Sequence, residues 1–496
     1  MVIFTDLSAK AATYRGKIFA GQRFNDSLHK SFHASPFNEI LISRTANPIG
    51  FLHLQFSCGT TLGQLEIDVL HTYLQALIQQ GTLTVRINPN RTYHFGTPIP
   101  DRPDLDVAIW INSPWTAFKI GLHPYLYFGE AVMDADLIVE KGSLWNLMEL
   151  IGLNMRNAPD RGWLSRLLHS VKRFLPGHSL SASRANVAHH YDLSEKLYRL
   201  FLDEDMQYSC AYFQCPQASL EDAQIAKKDH IADKLYLSPG QSVLDIGCGW
   251  GGMALHLAQQ AGVNVTGVTL STEQLAVAER RAMAPSVNAR VRFELCDYRE
   301  VRGLFDRIVS VGMFEHVGLA NFDGYFQTVA DRLKDDGVAL IHTIGRRGRV
   351  GGRSAWLNKY IFPGGYIPSL PEITAAVEKS GLFITDVEPL RLHYAETLRH
   401  WRERFQTHRA EIVALYDERF CRMWEFYLCY CELGFRYGDL MVFQVQLAKR
   451  LDTLPITRDY MMPRASARVA DPEEGGGEAF KGTARSSHAI RQGEAW

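Results

Sequence analysis

An excess of charge of either sign is the first thing this sequence lacks: 53 Lys and Arg stand against 54 Asp and Glu, a formal charge of −1 over 496 residues. Bulk electrostatic attraction to nucleic acid or to an anionic membrane is thereby excluded, and any such partner has to be met by a local basic patch. No nucleic-acid partner is expected. Long apolar runs are missing too. Nowhere do about 18 uncharged apolar residues follow one another, and the opening MVIFTDLSAKAATYRGK has no apolar core of signal-peptide length. Neither a spanning helix nor export is expected, and the expected location is cytoplasmic. The eight cysteines (Cys58, Cys210, Cys215, Cys248, Cys296, Cys421, Cys429 and Cys431) never form the C-x-x-C pairs of a structural zinc site. They read as free thiols in a reducing compartment, and no metal is expected.

What is present is a soluble globular composition, 46% hydrophobic and 22% charged, in a chain too long for one ordinary core. Residues 1–42 carry little periodic signal and read as an N-terminal arm. Residues 43–162 read as a small α+β domain for lipid binding or dimerisation: GTLTVRINPNRTYHFG alternates like paired strands turned at NPN, and DVAIWINSP and FGEAVMDADLIV continue in short units. Residues 163–184 hold a basic amphipathic helix, WLSRLLHSVKRFL, and a linker, PGHSLSASR. Such a helix suits a membrane surface, with packing between domains as the plain alternative.

From 185 to 462 the strands SVLDIG, VNVTGVTL, VRFELCD, FDRIVSVG and VALIHTIG alternate with helical stretches such as STEQLAVAERRAM and ANFDGYFQTVADRL. That alternation predicts an α/β, doubly wound, Rossmann-like domain whose ligands lie beyond the carboxyl ends of the strands. A helical block at about 392–438, with eleven aromatic residues from Tyr394 to Tyr437, interrupts the series before a last strand, LMVFQVQLA. Residues 463–496 are rich in Gly, Ser and charge, and disorder is expected there.

The stretch VLDIGCGWGG, 243–252, satisfies two fingerprints at once. Gly247, Gly249 and Gly252 fit the dinucleotide pattern G-x-G-x-x-G; Asp245, Gly247, Gly249 and Gly251 fit D-x-G-x-G-x-G, a pattern of S-adenosylmethionine (SAM) sites. A dinucleotide also needs an acid at the end of the second strand for its ribose, and GVTLSTEQ offers Thr269 and Leu270 there instead. SAM is therefore favoured over NAD on local grounds, while a glycine loop with a purely structural role remains the plain alternative.

Longer motifs carry a family resemblance. AHHYDLSEKLYRLFLDEDMQYSCAYF, LDIGCGWGGMALHLA, GVTLSTEQ, DRIVSVGMFEHVG, HTIG, KYIFPGGYIP and FYLCYCELGF, in that order over about 185–450, resemble the cyclopropane fatty acid synthase family, with its mycolic acid cyclopropane synthases. The small domain, with YLYFGEAVMDADL, is similar to the extra domain of members that act on phospholipid. The resemblance implies a SAM-dependent methyltransferase that modifies the cis double bond of unsaturated phospholipid acyl chains at a membrane surface, as a homodimer with peripheral membrane association. It implies that Tyr208, Ser209, Asp245, Gly247, Gly249, Gly251, Thr269, Leu270, Gln274, Asp297 and Tyr298 surround SAM. It further implies a bicarbonate ion held by the backbone of Cys210 and Ile344 and the side chains of Glu315, His342 and Tyr394, with Cys431 nearby.

These residue types suit the chemistry. An alkene is a weak nucleophile, so orientation has to supply much of the rate, and the acyl carbocation left by methyl transfer must lose a proton from the new methyl group to close a ring. The base has to stand close by, in a site without water. Glu315 and His342 are expected just after the fourth and fifth strands. Tyr208, Phe213, Tyr360, Phe362, Tyr366 and Tyr394 are candidates to face the cation. A small hydrophobe is the plain reading of Cys431 and Cys248, and RRGRVGGR, 346–353, reads either as a headgroup contact or as a solvated loop. A methyl- or methylene-branching enzyme, a lipid binder without turnover and a nicotinamide oxidoreductase remain the other expectations.

Overall fold

The computed structural model describes residues 62–88, 90–155, 194–285, 289–348 and 354–461. The expected arm at 1–42, the basic helix and linker at 163–184 and the tail at 463–496 lie outside the described residues, as do 349–353 of the arginine-rich stretch.

In the smaller layer, strands β1 (Gly81–Ile87) and β2 (Arg91–Thr97) form the antiparallel hairpin expected around NPN, with Ile87 opposite Arg91. Leu83, Val85 and Ile87 point inwards while Arg86 points to solvent, the period-two alternation of a half-covered strand. β3 (Asp106–Ile111) lies parallel to β1, and β4 (Leu137–Lys141) closes the sheet in the order β2-β1-β3-β4. Helices α1 (Leu62–Leu77), α2 (Pro114–Leu122), α3 (Pro124–Met133) and α4 (Leu144–Asn154) accompany this sheet. FGEAVMDADLIV proves to be helix, turn and strand in succession: FGEAVM completes α3, which starts with proline in its first turn, and Leu137 opens β4.

The larger sheet has seven strands: β5 (Ser242–Ile246), β6 (Asn264–Thr269), β7 (Val291–Leu295), β8 (Phe305–Val311), β9 (Leu333–Arg346), β10 (Phe383–Leu390) and β11 (Leu440–Ala448), in the order β10-β11-β9-β8-β5-β6-β7. The run from β7 to β9 is parallel, whereas β11 inserts antiparallel between β9 and β10. Valine, leucine and isoleucine fill β5, β8 and the carboxyl half of β9, buried on both faces as parallel strands require. The sequence reading did not foresee β10. Asp386, Glu388 and Pro389 suppress its strand signal, and they are tolerated because β10 is an edge strand whose acids pair with Arg458 and with His230 and Lys234.

The connecting helices are α5 (Glu195–Phe201), α6 (Leu220–Leu235), α7 (Gly252–Ala261), α8 (Thr272–Ala282), α9 (Phe322–Arg332), α10 (Ala355–Tyr360) and α11 (Leu370–Lys379). The aromatic block resolves into α12 (His393–Thr407), α13 (Arg409–Leu415) and α14 (Glu418–Arg436). α14 joins the two layers, packing on α3, α4 and α12. Phe426 meets Phe128 of α3 at 5.6 Å and Trp356 of α10 at 4.7 Å between ring centroids, and the Trp356 indole donates to Met133 Sδ. The aromatic block and the small layer thus share one continuous apolar core.

Candidate functional site

β5 continues to β6 on one side and has β8 on the other, so the sheet's switch point opens at the carboxyl ends of these three strands. The glycine loop follows β5 at that point. Gly249 has φ +55° and faces open space, so a side chain there would project into the cavity it lines. Gly251 behaves differently. It caps α7 with φ +84°, and a Cβ on it would approach the Phe293 ring to 2.6 Å. Of the eleven residues assigned to the cofactor it alone is absent from the cavity lining, and its neighbour Gly252 takes that place. Its glycine serves the turn and the packing of α7 on the sheet.

The remaining ten line one cavity together with Met206, Gln207, Trp250, Arg299 and Met313 among others. At the end of β6, where a dinucleotide site would carry an acid, Thr269 donates to Gln274 Oε1 at 3.0 Å, and the Thr269 oxygen accepts the Ser271 N–H. Asp297 is 1% exposed by its side chain, and Arg299 grips it through both carboxylate oxygens at 2.8 Å. Asp245 stands at the floor of the cavity with Oδ2 unpartnered among the described residues. Burial pushes its carboxyl up to about 7, with the Lys227 ammonium pulling the other way.

A second group of side chains gathers near Tyr394 and the carboxyl ends of β8 and β9. Glu315 sits on the short turn after β8, where Oε1 accepts the Ile344 N–H at 2.6 Å and Oε2 is buried without a partner among the described residues. Burial raises this carboxyl to about 7. His342 and Ile344 lie inside β9, opposite Gln444 and Val442 of β11, and not after the strand as expected; the antiparallel β11 extends β9 beyond the point where β8 ends. Gln444 donates to His342 Nδ1 at 3.2 Å, which leaves the ring proton on Nε2, a buried atom with no partner among the described residues. Burial together with Lys227, Lys234 and His230 drives the imidazole well below its usual pKa, so the ring is neutral. The Tyr394 phenol, on the first turn of α12, shares electrostatic contact with Cys210, Cys431, Glu315 and Tyr427. Burial pushes the thiols of Cys210 and Cys431 upwards, the latter to about 12, so neither is a nucleophile at neutral pH.

One implied contact is already spent: the Ile344 N–H, assigned to bicarbonate, is donated to Glu315. A buried carboxylate needs donors, and this is the donor it takes. The six candidate cation-facing rings also divide. Tyr208 bonds to the Tyr427 hydroxyl at 2.7 Å, Phe362 lies 5.8 Å from the Tyr427 ring and Tyr394 senses the same phenol. Phe213 stacks on His400, while Tyr360 and Tyr366 donate to Glu130 and Glu372. Tyr427 is the hub that the sequence reading passed over as one helical aromatic among many. Gln207 and Arg299 were missed as well, although Gln207 lies inside a quoted motif and Arg299 follows Tyr298 directly; Lys227 offered no signal, since a lysine on an amphipathic helix reads as a solvated face.

With this geometry in view, known proteins supply the comparison. A family model described as mycolic acid cyclopropane synthetase matches residues 178–445. The chain is 38% identical over 358 residues to the tuberculostearic acid methyltransferase UfaA1 of Mycobacterium tuberculosis, an alignment covering 69% of this chain and 83% of that protein. It is 44% identical over 263 residues to the cyclopropane-fatty-acyl-phospholipid synthase of Escherichia coli, covering 53% and 67%. Among solved structures, the mycolic acid cyclopropane synthase CmaA1 complexed with SAH and CTAB superposes with a TM-score of 0.51 at 36% identity, covering 53% of this chain and 97% of that one.

Proposed function

Because the chain belongs to the mycolic acid cyclopropane synthetase family and is a SAM-dependent methyltransferase, we propose that it converts the cis double bond of unsaturated phospholipid acyl chains into a cyclopropane. The observation that carries this reading is that Glu315 Oε2 and His342 Nε2 are both buried without a partner among the described residues, His342 level with the end of β8 and Glu315 tied to Ile344 two residues further along β9. One is an acceptor when ionised and the other a donor, the complement of a small ion bearing both an O–H and an O⁻. Bicarbonate fits that pair, and when bound it would supply the base for the methyl proton, as SAM supplies the electrophilic methyl group.

The chain's own residues do the rest. Glu315, oriented by the Ile344 N–H, would hold the ion's hydroxyl proton, and His342, kept neutral by burial and in one tautomer by Gln444, would donate to its oxygen. Tyr208, Phe362, Tyr394 and Tyr427 present aromatic faces to positive charge on the acyl chain, and the apolar packing around them excludes water. The acyl chain comes from a lipid surface. Trp115, Leu122 and Tyr125 of α2 and α3 are more than half exposed, and Tyr125 adjoins Tyr430, the neighbour of Cys431. Interfacial aromatics beside a lysine, here Lys119, suit a headgroup boundary. No described helix is long and apolar enough to cross a membrane.

Incubation with SAM and vesicles of a cis-monounsaturated phospholipid is the test. Lipid heavier by one CH2 that resists hydrogenation supports the reading. A methyl or methylene branch moves it to the second reading, favoured by the broader alignment to the tuberculostearic acid methyltransferase. Binding without any product leaves a non-catalytic lipid binder. Replacing Trp115, Leu122 and Tyr125 together by serine is expected to lower turnover on vesicles about tenfold or more while leaving detergent-dispersed substrate within twofold, as removal of three interfacial anchors implies.

A further inference from the structure

Lys227, on the buried face of α6, is fully enclosed and is used by none of the chemistry above. Its ammonium donates to Gln207 Oε1 at 2.7 Å and to Ser209 Oγ at 2.9 Å. One turn earlier Gln224 donates to the carbonyls of Gln207 and Ser209 at 3.2 and 3.0 Å. Two side chains of one helix thus hold two residues of the cofactor wall, Gln207 and Ser209, on either side of Tyr208.

The direction of these bonds has a consequence. Gln207 Nε2 donates to Asp205, which fixes its oxygen towards Lys227. An ammonium has donors only, so Ser209 must accept from Lys227 and is left with a hydroxyl proton to give elsewhere. Ser209 lines the cofactor cavity on the β8 side: its Cβ lies 4.0 Å from where a Cβ on Gly312 would stand. The ribose belongs at the other side, at the end of β6. We propose that Lys227 is a positioning residue that makes Ser209 a hydrogen-bond donor to the carboxylate of the SAM aminoacyl arm. The inference rests on this cavity being the cofactor site.

Asp203, Asp205 and Lys228 from the same neighbourhood, Cys210, Asp245 of β5 and His342 of β9 all interact with the Lys227 charge. Burial lowers its pKa to about 8, so the donor-only state is lost as pH rises through that value. Equilibrium binding to the full chain tests the idea with two ligands, S-adenosylhomocysteine, which has the carboxylate, and 5′-methylthioadenosine, which does not. Lys227→Met and Ser209→Ala are each expected to weaken S-adenosylhomocysteine about tenfold, the loss of one charge-assisted bond, with methylthioadenosine within twofold and no further loss in the double variant. Wild-type affinity for S-adenosylhomocysteine should fall above pH 8 and stay flat in Lys227→Met. Equal losses for both ligands, or full affinity in Ser209→Ala, overturn the proposal; Ser209→Ala decides it should Lys227→Met not fold. Failure of the wild-type chain to bind S-adenosylhomocysteine at all would sink the cofactor reading, and this inference with it.

Discussion

The cofactor cavity and the buried cluster of Glu315, His342 and Tyr394 treat polar groups differently. On the cofactor side Thr269 is paired with Gln274, Asp297 with Arg299 and Ser209 with Lys227, and Asp245 Oδ2 is the exception, buried without a partner among the described residues. In the cluster Glu315 and His342 each keep a buried atom without a partner among the described residues, and Tyr394 interacts with Glu315, Tyr427 and the thiols of Cys210 and Cys431. A largely saturated wall holds its shape at little cost in stability. An unsaturated cluster costs free energy in the folded protein, and such a cost persists where function uses it.

Glu315→Gln probes the contrast hardest. Loss of a positioned proton acceptor is expected to lower kcat about a hundredfold or more, while affinity for S-adenosylhomocysteine stays within threefold. The same variant should be the more stable protein at alkaline pH. Glu315 is held at about 7 against a usual 4.5, so the native chain keeps a proton that the unfolded chain releases, and stability falls as pH rises through that window. Thermal melts should show Glu315→Gln above wild type by a few degrees at pH 8 and level with it at pH 5. Activity of the wild type should rise through pH 7 as Glu315 ionises. A variant that is active, or less stable than wild type at both pH values, breaks the distinction between the cavity and the cluster.

How much of this was legible follows from the same physics. The parallel strands announced themselves as apolar runs, Asp245 came with the glycine fingerprint and Thr269 with the end of the second strand, whereas Asp297 and Glu315 were named by the family resemblance alone. β10 stayed hidden because ion pairs with Arg458, His230 and Lys234, distant in sequence, make its acids acceptable. His342 looked terminal because β11, the strand that lengthens β9, pairs with it from about a hundred residues away. The donation from Ile344 to Glu315 is a backbone bond, which no side-chain motif encodes. Gly251 matched a fingerprint, and its positive φ and the closeness of Phe293 account for its being glycine.

On the saturated side the effects should be smaller and should appear in KM. Asp297→Asn removes the charge from a bidentate pair with Arg299, and about 1.5–3 kcal/mol is typical for bonds to a charged group. A rise in KM for SAM of about tenfold or more is expected, with kcat within threefold. An equal fall in kcat would show that Asp297 also serves the chemical step, blurring the division.

The mildest test lies on the boundary itself. Tyr208 lines the cofactor cavity, yet its hydroxyl bonds across to Tyr427 in the aromatic cluster at 2.7 Å, and its ring stacks on Trp401 with centroids 5.1 Å apart. Tyr427→Phe removes one neutral hydrogen bond, about 0.5–1.5 kcal/mol, and leaves the Tyr208 hydroxyl without that partner while the ring packing persists. A two- to fivefold fall in kcat, with cofactor affinity unchanged, is the result that keeps Tyr427 on the chemical side. A change in S-adenosylhomocysteine affinity with kcat untouched would place the phenol pair in the cofactor wall, and the divide would then run through α14.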